Sequence, residues 1–135
     1  MKVIHIDGNG GGNCLFRSCA YHIGMDHGKL RQQVANIIRN FPHLPINGTK
    51  LAEWLKWLGH NHFVYSNYMS QNGIFGTAFE LMIISIIYRR CIRVWKKIRD
   101  CEFEMIDEYY PEFGDTFDLL FSGPPNFGHY DPLIE

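Results

Sequence analysis

Apolar residues recur three and four positions apart along the first two thirds of the chain, and closer to every second position along the last third. Phe16, Cys19, Ala20 and Ile23 predict a helix that opens near Cys14 and stops at Gly24, a residue suited to the C-cap. Leu30, Val34, Ile37, Ile38 and Phe41 mark a second helix face, closed by Pro42, and the Pro and Asn-Gly content up to Thr49 reads as loop. Leu51, Trp54, Leu55 and Leu58 give a third helix over residues 50–58, with Trp54 and Trp57 as core anchors. His60 and His62 alternate, so they share one face of a strand.

Gln71-Asn72-Gly73 signals a turn, and Thr77-Ala78-Phe79-Glu80 has the form of a capping box ahead of the apolar run 81–88. That run predicts a buried helix, far short of the roughly 20 residues that cross a bilayer. Arg89 and Arg90 close it, at the helix end that favours cations. Ile92-Arg93-Val94-Trp95, Phe103-Glu104-Met105-Ile106 and residues 117–121 predict strands; residues 2–6 add a short one and His129-Tyr130-Asp131 the last. Helices first and strands later imply an α+β fold, and 135 residues fit one domain.

Thirteen basic and 14 acidic side chains leave a net charge of −1, so no global field favours nucleic acid or an anionic membrane. The four cysteines, at 14, 19, 91 and 101, form no CxxC pair, which argues against a zinc ribbon or a disulfide framework and for a reduced, cytoplasmic chain. No secretory signal is visible in the first residues. His60 and His62 have no second ligand pair at matching spacing, so no metal is expected.

Candidate chemistry begins at Gly10-Gly11-Gly12-Asn13-Cys14. A cysteine at a helix N-terminus meets the positive end of the dipole, which favours the thiolate, the nucleophilic form. Glycines such as Gly11 and Gly12 turn successive backbone N–H groups toward one point and can cradle an oxyanion. At the far end, His129 and Asp131 point to the same face of a strand, so the carboxylate can hold the imidazole in the tautomer and orientation a thiol requires.

These motifs together resemble the ovarian tumour (OTU) family of cysteine deubiquitinases. The family's N-terminal block reads here Gly12-Asn13-Cys14-Leu15-Phe16-Arg17-Ser18, its middle element Gly76-Thr77-Ala78-Phe79-Glu80-Leu81, and its end His129-Tyr130-Asp131. Leu30-Arg31, Tyr68-Met69 and Ile92-Arg93-Val94 also fall where the family has similar residues. The resemblance implies a papain-like α+β fold, a small central β-sheet flanked by helices, with a Cys14-His129-Asp131 triad. It also implies hydrolysis, without cofactor, of isopeptide bonds at the C-terminal glycine of ubiquitin or a ubiquitin-like modifier. Ubiquitin or polyubiquitin is the implied partner, and a monomer is expected; the short length is similar to viral or bacterial members. Asn126 and Phe127, just before His129, are candidate walls of the channel for the ubiquitin tail, and Glu112, Asp115 and Asp118 are candidate partners for its basic residues.

Two positions depart from the family pattern. Gly11 stands where an aspartate usually precedes the nucleophile, and Phe75 where a tryptophan is common. Either Asp7 folds back into the oxyanion role over a longer loop, or the backbone of Gly11, Gly12 and Cys14 acts without a carboxylate. A ubiquitin-binding module that has lost catalysis is the alternative reading.

Overall fold

The computed structural model describes residues 1–6, 12–124 and 128–135. Asp7, Gly11, Asn126 and Phe127, named above as site residues, lie outside the described residues. The helices come first: α1 (Cys14–Ile23), α2 (His27–Asn40), α3 (Leu51–Trp57), α4 (His62–Met69) and α5 (Ala78–Tyr88). A five-stranded sheet takes β1 (Lys2–Val3) and four strands that follow the helices, while β2 (Pro45–Ile46) and β3 (Thr49–Lys50) form a separate two-stranded ribbon. The late strands are β4 (Arg90–Arg99), β5 (Glu102–Tyr109), β6 (Asp115–Ser122) and β7 (His129–Ile134), giving the order β1-β7-β6-β4-β5. Among the described residues β4 and β6 pair in parallel, and the other pairs of the sheet are antiparallel.

Local chemistry explains most of the boundaries. Gly24 ends α1 at φ 83°, a left-handed conformation that costs a residue with a Cβ about 1–2 kcal/mol. Asp26 caps α2, its carboxylate accepting from Lys29 N–H at 3.0 Å. Thr77 and Glu80 make the reciprocal capping box of α5. The segment after Pro42 is not plain loop: Asn47 and Gly48 both take positive φ, 49° and 81°, the turn that closes a tight hairpin between β2 and β3.

The region around His60 and His62 also differs from expectation. It is no strand, because Asn61 accepts from Phe63 N–H and Val64 N–H and so starts α4 at His62. The reading of the second and third apolar faces extends too far: Phe41, Trp57 and Leu58 are exposed, while Trp54 is partly buried and donates its indole N–H to Ile46 O at 2.7 Å. No helix among the described residues is long and apolar enough to cross a membrane.

The core lies between the sheet and the helices. Leu15, Phe16, Leu30, Ile38, Leu55, Ile83 and Leu119 are all but completely buried there. α1 packs on β7 and β6, α5 on β4 and β5, and α2 on α1 and α4. The Glu80 carboxylate sits inside this core. Glu80 accepts from Tyr65 Oη at 2.7 Å and from Thr77 N–H and Oγ1 at 2.7 and 2.6 Å, and burial pushes its carboxyl above the usual range. Tyr65→Phe strips one donor from an otherwise satisfied buried group. It should lower the unfolding free energy by about 1–3 kcal/mol in urea titration; an unchanged midpoint would mean that Glu80 has another partner.

Candidate active site

Cys14 is the first residue of α1, and what surrounds it follows from the residues before it. Asparagine is a strong N-cap, yet the Asn13 side chain makes no cap hydrogen bond. Its Oδ1 instead accepts from Gly73 N–H at 2.8 Å and from Arg31 Nη2 at 3.0 Å, both away from the helix. The opening N–H groups of an α-helix have no intrahelical partner, so those of α1 receive nothing from their own cap residue. Gly12 sits at φ 69°, with its backbone pressed on the 73–75 segment: a Cβ there would meet Gly73 O at 1.9 Å.

Two successive turns of α1 face β7. Cys14 Sγ donates to Gly128 O at 4.0 Å, and Ser18 Oγ, four residues on, donates to Tyr130 O at 2.9 Å. The thiol thus lies against the residue that immediately precedes His129. Of the other cysteines, Cys19 is fully buried and its thiol is pushed far up, first by burial and then by Cys14 beside it. Burial also raises the Cys91 thiol, and Cys101 lies exposed in the turn between β4 and β5. Position therefore singles out Cys14.

His129 and Asp131 share one face of β7 as alternation requires, and His129 Nε2 lies 3.0 Å from Asp131 Oδ1. A carboxylate can only accept, so the proton of this bond belongs to Nε2, which leaves Nδ1 for a thiol. Asp131 is buried, whereas the His129 side chain is 36% exposed and open to a substrate. The main chain beyond β1 completes the support. Ile4 N–H donates to Pro132 O at 2.9 Å, and Ile6 N–H donates to Asp131 Oδ1 at 3.2 Å. His5 Nδ1 approaches Asp131 Oδ2 at 3.9 Å from the solvent side.

A cleft of about 350 Å³ is lined by Phe75, Gly76, Tyr109, Phe121, Gly128 and Tyr130 among others; Cys14, His129 and Asp131 do not line it, and it adjoins them through Gly128, whose carbonyl accepts from the thiol. Two glycines shape it. A Cβ on Gly128 would come within 2.0 Å of the Phe121 ring, and one on Gly76 would press on both Leu15 methyl groups at 3.1 Å. A second groove, of about 540 Å³, shares Ile106 and Phe121 with the first and runs out to Lys96 and Lys97.

Two of the three acids singled out for basic partners are already engaged. Asp118 accepts from Arg93 Nε and from the Trp95 indole, each at 2.8 Å, and Asp115 pairs with Arg90 at 3.2 Å. Glu112 is exposed in the turn before β6. Spacing gave no sign of what Arg31 does. Its guanidinium is buried between the loop before Cys14 and the 69–74 segment, a contact that only the folded chain creates.

The fold is similar to several solved structures. An OTU domain in complex with ubiquitin aligns over 97% of this chain and 67% of that chain, with TM-score 0.71 and 23% identity. An OTU deubiquitinase from Wolbachia pipientis, bound to ubiquitin, aligns over 99% of this chain and 95% of that one, with TM-score 0.65 and 16% identity. The viral OTU domain protease from Dera Ghazi Khan virus aligns over 97% and 78%, with TM-score 0.67 and 21% identity. At such identities the likeness is one of fold. No curated protein matches the sequence. The family model described as OTU-like cysteine protease matches residues 9–130, nearly the whole chain, and the chain belongs to that family.

Proposed function

We propose that the chain is a deubiquitinase that hydrolyses the isopeptide bond between the C-terminal glycine of ubiquitin, or of a ubiquitin-like modifier, and a lysine. The observation that carries this reading is the contact between Cys14 and the residue before His129, whose Nε2 is held by the buried Asp131. In this mechanism Cys14 leaves Gly128 O and gives its proton to Nδ1 of His129 as the sulfur attacks the glycine carbonyl. The oxyanion is met by backbone N–H groups around Gly12 and Cys14, unencumbered by the Asn13 side chain. His129 then protonates the leaving lysine amine, and water, activated by the same imidazole, releases the acyl group from Cys14. No metal or organic cofactor takes part.

The cleft reaches Gly128, whose carbonyl accepts from the Cys14 thiol, and in this reading it receives the extended tail of ubiquitin with its two terminal glycines toward Gly128. The test is turnover of ubiquitin carrying a fluorophore as a C-terminal amide, followed by the defined ubiquitin dimers to read linkage. Release of the fluorophore is expected. Saturable ubiquitin binding with no release would identify a binding module instead.

Asp131 gives a graded prediction. Asp131→Ala frees the imidazole and should lower kcat on the order of 10²- to 10⁴-fold with ubiquitin affinity little changed. Asp131→Asn keeps an acceptor for Nε2 and should retain most of the rate. Equal losses in both variants would show that charge rather than orientation is what Asp131 supplies.

A further inference from the structure

We infer that Arg31 is a positioning residue for the oxyanion: it fixes the peptide between Gly12 and Asn13, and so the direction of the N–H groups that precede Cys14. This rests on the deubiquitinase reading and names a part of the same site.

Arg31 lies on α2, 2% exposed, and among the described residues its hydrogen-bond partners include no carboxylate. Burial acts against its protonated form, and Glu80 favours that form to a lesser degree. A buried charge of this kind is costly, and an apolar side chain of similar volume would fill the space at least as well. The reason for a guanidinium is its partners. Nη1 donates to Met69 O at 2.9 Å, and Nη2 lies 2.8 Å from Ile74 O, 3.2 Å from Gly12 O and 3.0 Å from Asn13 Oδ1. The carbon of the guanidinium stacks 4.3 Å from the centre of the Phe16 ring, one turn into α1. One planar group therefore ties the loop before the nucleophile to the 69–74 segment.

Two consequences reach the reacting atoms. The described peptides are all trans, so in the Gly12–Asn13 unit C=O and N–H point in opposite directions. With Gly12 O drawn to Arg31, Asn13 N–H is turned away from it. The same guanidinium, with Gly73 N–H, draws the Asn13 side chain off the helix end, so that it does not fold over the first N–H groups of α1. Lysine cannot replace this. A single ammonium has no fork to span carbonyls of two loops, although it keeps the charge.

The test compares the whole chain with its Arg31→Lys, Asn13→Ala and doubly substituted forms, using the ubiquitin amide substrate and backbone hydrogen exchange. Arg31→Lys should lower kcat about 10²-fold, the size of one lost oxyanion donor, with KM within about threefold and the shape of the pH profile unchanged. Asn13→Ala should act in the same direction, and the double variant should lose less than the product of the two single losses, because both act on one loop. Amides of residues 12–16 should exchange at least tenfold faster in Arg31→Lys while those of β6 keep their protection. A folded Arg31→Lys protein with kcat within about twofold of the parent, or with unchanged exchange at residues 12–16, overturns the inference. Should Arg31→Lys fail to fold, Arg31→Gln takes its place: its planar amide keeps a donor for one of the two loops but cannot span both, and a folded Arg31→Gln protein with unaltered kcat refutes the role. A parent chain that binds ubiquitin without turnover would refute the deubiquitinase reading instead, and the exchange data would still judge Arg31.

Discussion

Cys14→Ser and His129→Ala should each reduce ubiquitin-amide turnover by roughly 10⁴- to 10⁶-fold, because a nucleophile and its base fail as a unit. A ubiquitin probe with a C-terminal electrophile should label the parent chain at one residue and leave Cys14→Ser unlabelled. Cys19→Ala is the informative control. That thiol is buried and pushed up, well away from the thiolate form, so its removal should cost stability through a small cavity and leave labelling intact. Labelling at Cys19, or turnover surviving in Cys14→Ser, would reassign the nucleophile. His129→Ala should still bind ubiquitin, since the imidazole contributes to the reaction rather than to the cleft walls.

The second large effect is expected at Gly12→Ala. The added methyl would sit 1.9 Å from Gly73 O, 2.7 Å from Gly73 C and 3.2 Å from Phe75 N, all main-chain atoms that no rotamer change can move. The positive φ adds about 1–2 kcal/mol of conformational strain for any residue with a Cβ. The loop must therefore shift, taking the N–H groups beside Cys14 with it, and kcat should fall about 10²- to 10³-fold. Gly24→Ala separates strain from displacement. Gly24 has φ 83° but nothing within 4 Å of its Cβ position, so this variant should show a lowered midpoint in thermal unfolding and normal kcat. If the two variants behave alike, the contact between Gly12 and Gly73 has no bearing on catalysis.

How much of this was legible in the sequence depends on the range of the interaction involved. Signals decided within one turn came through: Gly24 as C-cap, Thr77 with Glu80 as capping box, and alternation aligning His129 with Asp131. Helix spacing proved a poorer guide to burial, because it says which residues share a face and not whether anything covers that face. Phe41, Trp57 and Leu58 sit at or beyond the helix ends, where the chain turns away from the core. α4 was hidden by its sparse pattern, since it buries only Tyr65, Ser66 and Met69, though Asn61 was a legible cap. The parallel register of β4 with β6 and the contacts of Arg31 with Gly12, Met69 and Ile74 join segments distant in the chain, and no local pattern encodes them. Arg31 falls where the family has a similar residue, but its role became readable only from its acceptors.

The seat of Cys14 against Gly128 spans 114 positions of chain, and β7 lies in the sheet between β1 and β6. Contacts between segments so remote close slowly, after local helices and hairpins have formed. A polypeptide emerging from the ribosome thus carries Cys14 without its partner residues until β7 has been made and has folded back onto α1.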